Sequence, residues 1–413
     1  MKASILIRIA ALGALLLSAA ACVFPYKVDL EQYGDAPLVV EGNIHIGGTT
    51  RIRLSRLSPI EAISSDIQVF GSAYDSYVAP NPYGNLFGRV RGVIVGEDGS
   101  NAESWTDTFQ DRIELVFDTG WLRKDQRYKL HLEVSDIEDG ETTVYETDWL
   151  AVNPAPVIDE LTFAKNDDFK ELWIRMSMHC DGAHYFRWRY VEEWEYHSDI
   201  QTSLLYDPET STVANIGGEA LYYCWGRSES TRINTFSTAG QTDDRFEDLS
   251  FHTVPLSAPR LQMMYRVTIT LNAMSKDAYD YWENVRNSSE GQGSILAPMP
   301  SQMAGNVHCL TNPSAEVIGY VDACTETTGF VIYDDSQFKY YEPEGRHRIE
   351  LVSASNDPDT NRTMYYRGYL PVSGEYGMSG TIERYEWALA SCVDCRLKGG
   401  NKRVPENWPT GHN

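Results

Sequence analysis

The sequence predicts a mainly β protein: an N-terminal immunoglobulin-like β-sandwich, then a larger β-rich domain with one or two short helices. Three observations predict it. Several runs alternate apolar and polar residues, as half-buried strands do. Glycine-rich turns separate those runs at short, even spacing. Only Ser275–Val285 carries convincing helical periodicity.

Taken in order, Pro37–Ile46 and Thr49–Leu54 are β-rich runs joined by Gly47-Gly48, a hairpin signal. Val90–Val95 opens a further strand and Glu97-Asp-Gly99 turns it back. Arg112–Phe117 and Arg127–Val134 alternate strictly. These strands suit a sandwich of about one hundred residues, assigned to 37–152. Ser58–Gly88, rich in Ser, Pro, Asn, Gly and Tyr, reads as a long loop. Asn153-Pro-Ala-Pro-Val157 is the domain boundary, because paired prolines interrupt pairing and stiffen a linker. In the second domain, 157–396, Glu171–Met176, Tyr185–Val191, Tyr265–Leu271 and Val317–Val321 are strand candidates. Ser275 is the expected cap of the helix, Asp277 its early acid, and Ala278, Tyr281, Trp282 and Val285 its apolar face. Residues 287–312 read as loop and 397–413 as a C-terminal tail.

The start of the chain says where the protein works. Lys2 and Arg8 precede an apolar stretch, Ile9–Leu17, and Ser18-Ala-Ala-Ala21 runs directly into Cys22. This is the pattern of a bacterial lipoprotein signal, 1–21, cleaved before a cysteine that takes diacylglycerol. Ala19 departs from the commoner leucine. The apolar stretch is too short for a span, which needs about 20 residues. Residues 22–36 then form a lipidated tether. Loss of Lys2 and Arg8 takes the formal charge from −24 to −26. So acidic a body is a poor partner for nucleic acid or anionic lipid headgroups. The expected location is the outer membrane, lipid-anchored, on its cell-surface or periplasmic face.

Six cysteines besides Cys22, namely Cys180, Cys224, Cys309, Cys324, Cys392 and Cys395, read as possible disulfides in an exported chain. Cys392-Val-Asp-Cys395 fits a tight local bridge, a redox pair or half a metal site; a structural disulfide, local or crosswise, is preferred. No GxSxG, HExxH, Walker or dinucleotide glycine motif occurs. The acid pairs at 167–168, 243–244 and 334–335 fit no calcium loop. His179 and Cys180 point to opposite faces of a strand, which argues against shared coordination with His184. No catalytic residue, metal site or cofactor is therefore assigned. One ligand platform stands out: Phe186, Trp188 and Tyr190 share a face, with Arg187 and Arg189 opposite. Aromatic faces with flanking cations bind sugars or anions. The ordinary alternative buries the aromatics and leaves the arginines in solvent.

The order of motifs carries a resemblance. Cys22, Pro37-Leu-Val-Val-Glu-Gly42, Arg53-Leu-Ser-Arg56, Tyr185-Phe-Arg-Trp-Arg-Tyr190, Cys224-Trp225 and Arg266 come first. Ser275-Lys-Asp-Ala-Tyr-Asp-Tyr-Trp282, Gly291-Gln-Gly-Ser-Ile295 and Pro298-Met-Pro-Ser-Gln302 follow. Gly305-Asn-Val-His-Cys309, Asn312-Pro313, Val317-Ile-Gly-Tyr320 and Cys392-Val-Asp-Cys395 complete the series. Together they resemble the Bacteroidota outer-membrane lipoprotein family called domain of unknown function 4249, over nearly the whole mature chain. The looser Ala19 and the Ser58–Gly88 insertion depart from it. The resemblance implies an accessory role beside a TonB-dependent β-barrel transporter, a bridging role for Cys224, Cys309, Cys392 and Cys395, and no catalytic residues. The first domain's strands also resemble transthyretin-like sandwiches. The expected function is thus a non-enzymatic outer-membrane lipoprotein accessory to uptake. The alternatives are a surface adhesin or glycan-binding module, using Trp188 or Tyr74, Tyr77 and Tyr83, and a hydrolase whose site is assembled from distant residues.

Overall fold

The structure is a computed structural model that describes residues 37–56, 87–107, 110, 112–135, 140–166, 168–240, 245–290, 305–334 and 349–409. Cys22, the signal, the tether, the Ser58–Gly88 loop up to residue 86 and Tyr74, Tyr77 and Tyr83 lie outside them. So do Asp167, Asp243, Asp244 and Asp335. The chain divides into two units. Residues 1–38 with 56–85 form one, nearly all of it outside the described residues; residues 39–55 with 86–413 form the other.

The fold is mainly β. Its first part holds β1 (Leu38–His45), β2 (Thr49–Arg56), β3 (Val90–Gly96), β4 (Asn101–Thr106), β5 (Arg112–Asp118), β6 (Arg127–Ser135), β7 (Thr142–Thr147) and β8 (Leu150–Asn153). β5 and β6 alternate buried with less buried residues along their whole length, which is why their sequences read so clearly. The two layers of the expected sandwich are parts of one hydrogen-bonded sheet. It nearly closes on itself where the Val116 amide of β5 donates to Ser104 Oγ of β4 at 3.1 Å. Ile44, Ile52, Leu54, Ile94, Leu115, Phe117, Leu130 and Leu132 fill its interior.

Next come β9 (Val157–Asn166), β10 (Glu171–His179), β11 (Tyr185–His197), β12 (Leu204–Asp207), β13 (Thr212–Asn215), β14 (Tyr223–Glu229), β15 (Asn234–Ser237), β16 (Arg245–Pro255) and β17 (Met264–Ala273). A helix, Lys276–Glu290, follows β17. Its cap is as expected: the Ala278 amide donates to Ser275 Oγ at 3.2 Å, and Ala278, Tyr281 and Trp282 are buried. The remaining strands are β18 (Val307–Cys309), β19 (Val317–Ile318), β20 (Val321–Cys324), β21 (Glu326–Asp334), β22 (Val352–Ser355), β23 (Tyr369–Tyr376) and β24 (Ile382–Leu389). A second helix, Pro358–Tyr366, starts at Asp357, whose carboxylate accepts the Thr360 amide at 2.9 Å. The sheet β16-β10-β9 and the five-stranded sheet of β14, β11, β17, β21 and β15 sandwich a core that includes Ile174, Met176, Phe186, Val254, Tyr265, Val267, Ile269 and Tyr333. The hairpin β12–β13 and the sheet β22-β24-β23 enclose Tyr206, Met364, Tyr385 and Trp387.

Prolines 154 and 156 do separate strands of different sheets, β8 and β9. Yet residues 307–324, assigned by sequence to the second domain, are strands of the first sheet. β20 inserts in parallel between β1 and β8, with Gly42 opposite Val321 and His45 opposite Cys324. Every residue of β20 is buried, so it lacks the alternation that marks a surface strand. The single strand expected over Val317–Val321 is broken at Gly319, whose φ is +118°. A Cβ there would overlap the Val40 carbonyl, so only glycine lets the backbone pass so close. Asp322 of β20 then receives the helix: its Oδ2 accepts the Ser275 amide at 2.9 Å.

Within the stretch expected to be a C-terminal tail, residues 401 and 402 are bound to β14. Asn401 and Trp225 exchange two backbone hydrogen bonds of 2.9 Å, and Lys402 Nζ donates to the Tyr223 carbonyl. The cysteine expectations are partly corrected. Cys395 bonds Cys224 of β14 across 171 residues; it does not bond its neighbour Cys392, and Cys224 does not bond Cys309. The reason is topological, because Cys309 sits in β18, paired with β7 of the first sheet. Cys309, Cys324 and Cys392 are thiols. Burial pushes the Cys324 thiol well above its ordinary value, which makes it inert. Cys180 is buried, with Sγ 4.0 Å from the Pro154 carbonyl.

A bridge closing so long a loop stabilises by about 3–5 kcal/mol in the chain-entropy model. Cys224→Ser is expected to lower the melting temperature far more than Cys392→Ser. Differential scanning calorimetry of the two variants checks this, and equal melting temperatures contradict it.

Candidate functional site

β15 is an edge strand that pairs with β11, setting Trp188 opposite Asn234 and Arg187 opposite Thr235. Side chains alternate along strands, so Trp188 and Asn234 face the sandwich interior while Arg187 and Thr235 face the helix Lys276–Glu290. On the interior side Trp188 packs against Phe236, with ring centres 5.3 Å apart. On the helix side the Arg187 guanidinium lies 3.9 Å from the centre of the Trp282 ring. Thr235 Oγ1 donates to Glu283, and Arg286 Nη1 donates to Thr235 Oγ1 at 3.1 Å while its Nη2 pairs with Glu283. Where β15 begins beside the C-terminal part of this helix, a pocket of about 350 Å³ opens. Trp188, Arg232, Asn234, Thr235, Arg286 and Asn287 line it. The lining, which Ile233 completes, offers two guanidinium groups, two carboxamides and a hydroxyl, and no carboxylate.

Of the platform expected from sequence, only Trp188 reaches this pocket. Phe186 is fully buried between the two sheets, so it is a core residue and not a ligand surface. Tyr190 packs on His252, with ring centres 4.3 Å apart. The opposite face meets the expectation of solvated arginines only in part. Arg187 is covered by Trp282, whereas Arg189 is exposed and makes two 2.7 Å hydrogen bonds to Glu326. Arg232, Asn234, Thr235, Arg286 and Asn287 carried no local signal. They come from a strand edge and a helix some fifty residues apart in sequence, and only tertiary structure joins them.

The other end of β11 holds three buried carboxylates. Glu192 accepts from Tyr265 at 2.7 Å and from Arg260 at 3.0 Å, and lies 3.0 Å from His252 Nε2. Glu193 lies between Arg266, at 2.6 and 3.0 Å, and Arg227, at 3.0 Å. Glu195 accepts the Trp408 indole N–H at 3.2 Å. Arg266 also donates to the Glu406 carbonyl at 2.9 Å and lies 5.2 Å from the Trp408 ring centre. His252 and Glu192 bring a base and a carboxylate together, but Arg260 and Tyr265 occupy the same carboxylate and it is 4% exposed. His179 and His184 go elsewhere. His179 Nδ1 meets Asp159 at 2.9 Å, and His184 Nδ1 meets Thr238 Oγ1 at 3.1 Å. Among the described residues no group of three His, Cys, Asp or Glu side chains is placed to hold a metal ion.

Burial pushes the Glu192 carboxyl up, but hydrogen bonds from His252 and Tyr265, with the His252 and Arg260 charges, outweigh it and hold the group below its ordinary value. A depressed folded-state pKa contributes stability that is complete above the unfolded value and lost as pH falls through the folded one. Glu192→Gln leaves Arg260 uncompensated and is expected to cost about 3–5 kcal/mol at pH 7. It should also flatten the loss of stability on acidification below about pH 4.5, the ordinary carboxyl range. Urea denaturation at pH 7 and pH 3.5 measures both; a variant as acid-sensitive as the parent contradicts the assignment.

Comparison with known proteins adds little beyond the family. Among curated proteins none matches the chain. A solved structure titled "Biofilm associated protein - BSP domain" is 9% identical, covering 87% of this chain and 77% of its own, with a TM-score of 0.13. The family model described as Domain of unknown function (DUF4249) matches residues 23–329, most of the chain, and the chain belongs to that family.

Proposed function

We propose that this protein is a non-enzymatic lipoprotein of the outer membrane, held by acyl chains on Cys22 and acting as an accessory subunit of a TonB-dependent transporter. The observation that carries the reading is the leader that ends on Cys22. An acid-rich β body with no helix among the described residues long and apolar enough to cross a membrane is compatible with such an anchor. Two or three acyl chains hold a protein stably where one does not. Tethering also raises the effective concentration of a partner in the same bilayer, so a weak protein–protein contact suffices. The resemblance of the motifs supports the Bacteroidota origin and the transporter partner of this reading.

A second reading, a glycan-binding module at the surface, has in its support the polar pocket where β15 begins, with the donors of Arg232, Asn234 and Asn287. The two are compatible, since an uptake accessory must present or cover a ligand.

Growth with radiolabelled palmitate checks the anchor. The wild-type chain is expected to take up label and partition into detergent, and Cys22→Ala to do neither. Affinity capture from detergent-solubilised membranes should recover a β-barrel partner. An unlabelled wild-type chain in the aqueous phase contradicts the location, and capture without any barrel contradicts the role.

A further inference from the structure

We infer that Cys392 is a thiol–disulfide exchange site that opens the Cys224–Cys395 bridge from within the chain. Of the four cysteines outside that bridge, Cys180, Cys309 and Cys324 are buried and Cys392 is half-buried. Cys309 and Cys324 also lie in strands of the first sheet. Cys392 stands just before Cys395 in sequence, near the end of a short helix, Ala390–Val393. Val393 is helical and Asp394 is extended, with φ −104° and ψ 109°, which is the backbone of a type VIII turn. Such a turn holds its first and fourth residues within about 7 Å, the span that a disulfide can bridge. Backbone hydrogen bonds fix both ends of the turn. The Ile200 amide donates to the Cys392 carbonyl at 2.9 Å, and the Cys395 amide donates to the Leu221 carbonyl at 3.0 Å.

The bridge itself is sealed. Cys224 and Cys395 are fully buried, and Tyr196 and Trp194 pack against them. An external thiol meets a closed surface, whereas Cys392 acts at the high effective concentration of a chain neighbour. Its thiolate attacks Cys395 Sγ, and the Cys392–Cys395 bond forms as the Cys224–Cys395 bond breaks. Cys392 gives up one proton and the leaving Cys224 Sγ takes one, so exchange consumes no oxidant or reductant. The new bridge includes the half-buried Cys392, which an external dithiol reaches. Its two thiols close to a disulfide as Cys392 and Cys395 regain their hydrogens. Exchange thus replaces a bridge across 171 residues with a local one. β14 is then no longer tied covalently to the segment that carries Asn401 and Trp408. The inference stands on the cysteines alone and holds whether or not Cys22 carries lipid.

The test is reduction of the folded, detergent-solubilised full chain by dithiothreitol. Samples are quenched in acid, alkylated with N-ethylmaleimide in denaturant and mapped by mass spectrometry. Cys392→Ser is expected to slow loss of the Cys224–Cys395 bridge by about tenfold or more, although Cys392 takes no part in that bridge. Alkylation of Cys392 in the parent chain before reduction should protect the bridge equally, which guards against a folding artefact of the variant. Cys224→Ser treated with oxidised glutathione should form a Cys392–Cys395 bridge. The inference is overturned if Cys392→Ser and the alkylated parent lose the bridge as fast as the untreated parent, or if Cys224→Ser forms no Cys392–Cys395 bridge.

Discussion

Three carboxylates on one central strand set the terms for the larger part of this fold. Glu192, Glu193 and Glu195 of β11 are all buried. A buried charge is tolerated only when it is paired and hydrogen-bonded. Each therefore fixes the position of a donor from another element. Glu192 takes Tyr265 of β17, His252 of β16 and Arg260 from the turn between them. Glu193 takes Arg227 of β14 and Arg266 of β17. Glu195 takes Trp408. One strand thus ties the two sheets of the sandwich to the segment that ends the chain.

The same strand positions the candidate site. β11 carries Trp188 toward the interior and Arg187 toward the helix, and β15 adds Asn234 and Thr235 in register. The helix that supplies Arg286 and Asn287 is held at its start by Asp322 of β20, a strand of the first sheet. The pocket is consequently a product of long-range connections. Its rigidity rests on packing of Trp282 against Arg187 and on the Glu283, Arg286 and Thr235 cluster.

Much of the architecture was legible because local physics dictates it. β5 and β6 alternate because one face is buried, Gly47-Gly48 turns a hairpin, and Ser275 caps the helix that Ala278, Tyr281 and Trp282 anchor. What escaped the sequence is what distance in the chain conceals. The return of β20 to the first sheet is a four-residue parallel pairing with no surface face. The break at Gly319 answers a carbonyl 279 residues earlier, that of Val40. The Cys224–Cys395 pairing and the binding of residues 401–408 are of the same kind. Of the site, sequence offered Trp188, and also Phe186 and Tyr190, which packing claims for the core. The arginines and asparagines of the pocket are ordinary polar residues until the fold assembles them.

Hydrogen exchange of Glu193→Gln against the parent chain probes the role of β11 most directly. If its carboxylates hold the surrounding elements, protection should fall together in β14, in β17 and in residues 401–408. A loss confined to the β11–β17 pairing, with 401–408 as protected as before, would show that these elements stay in place without them.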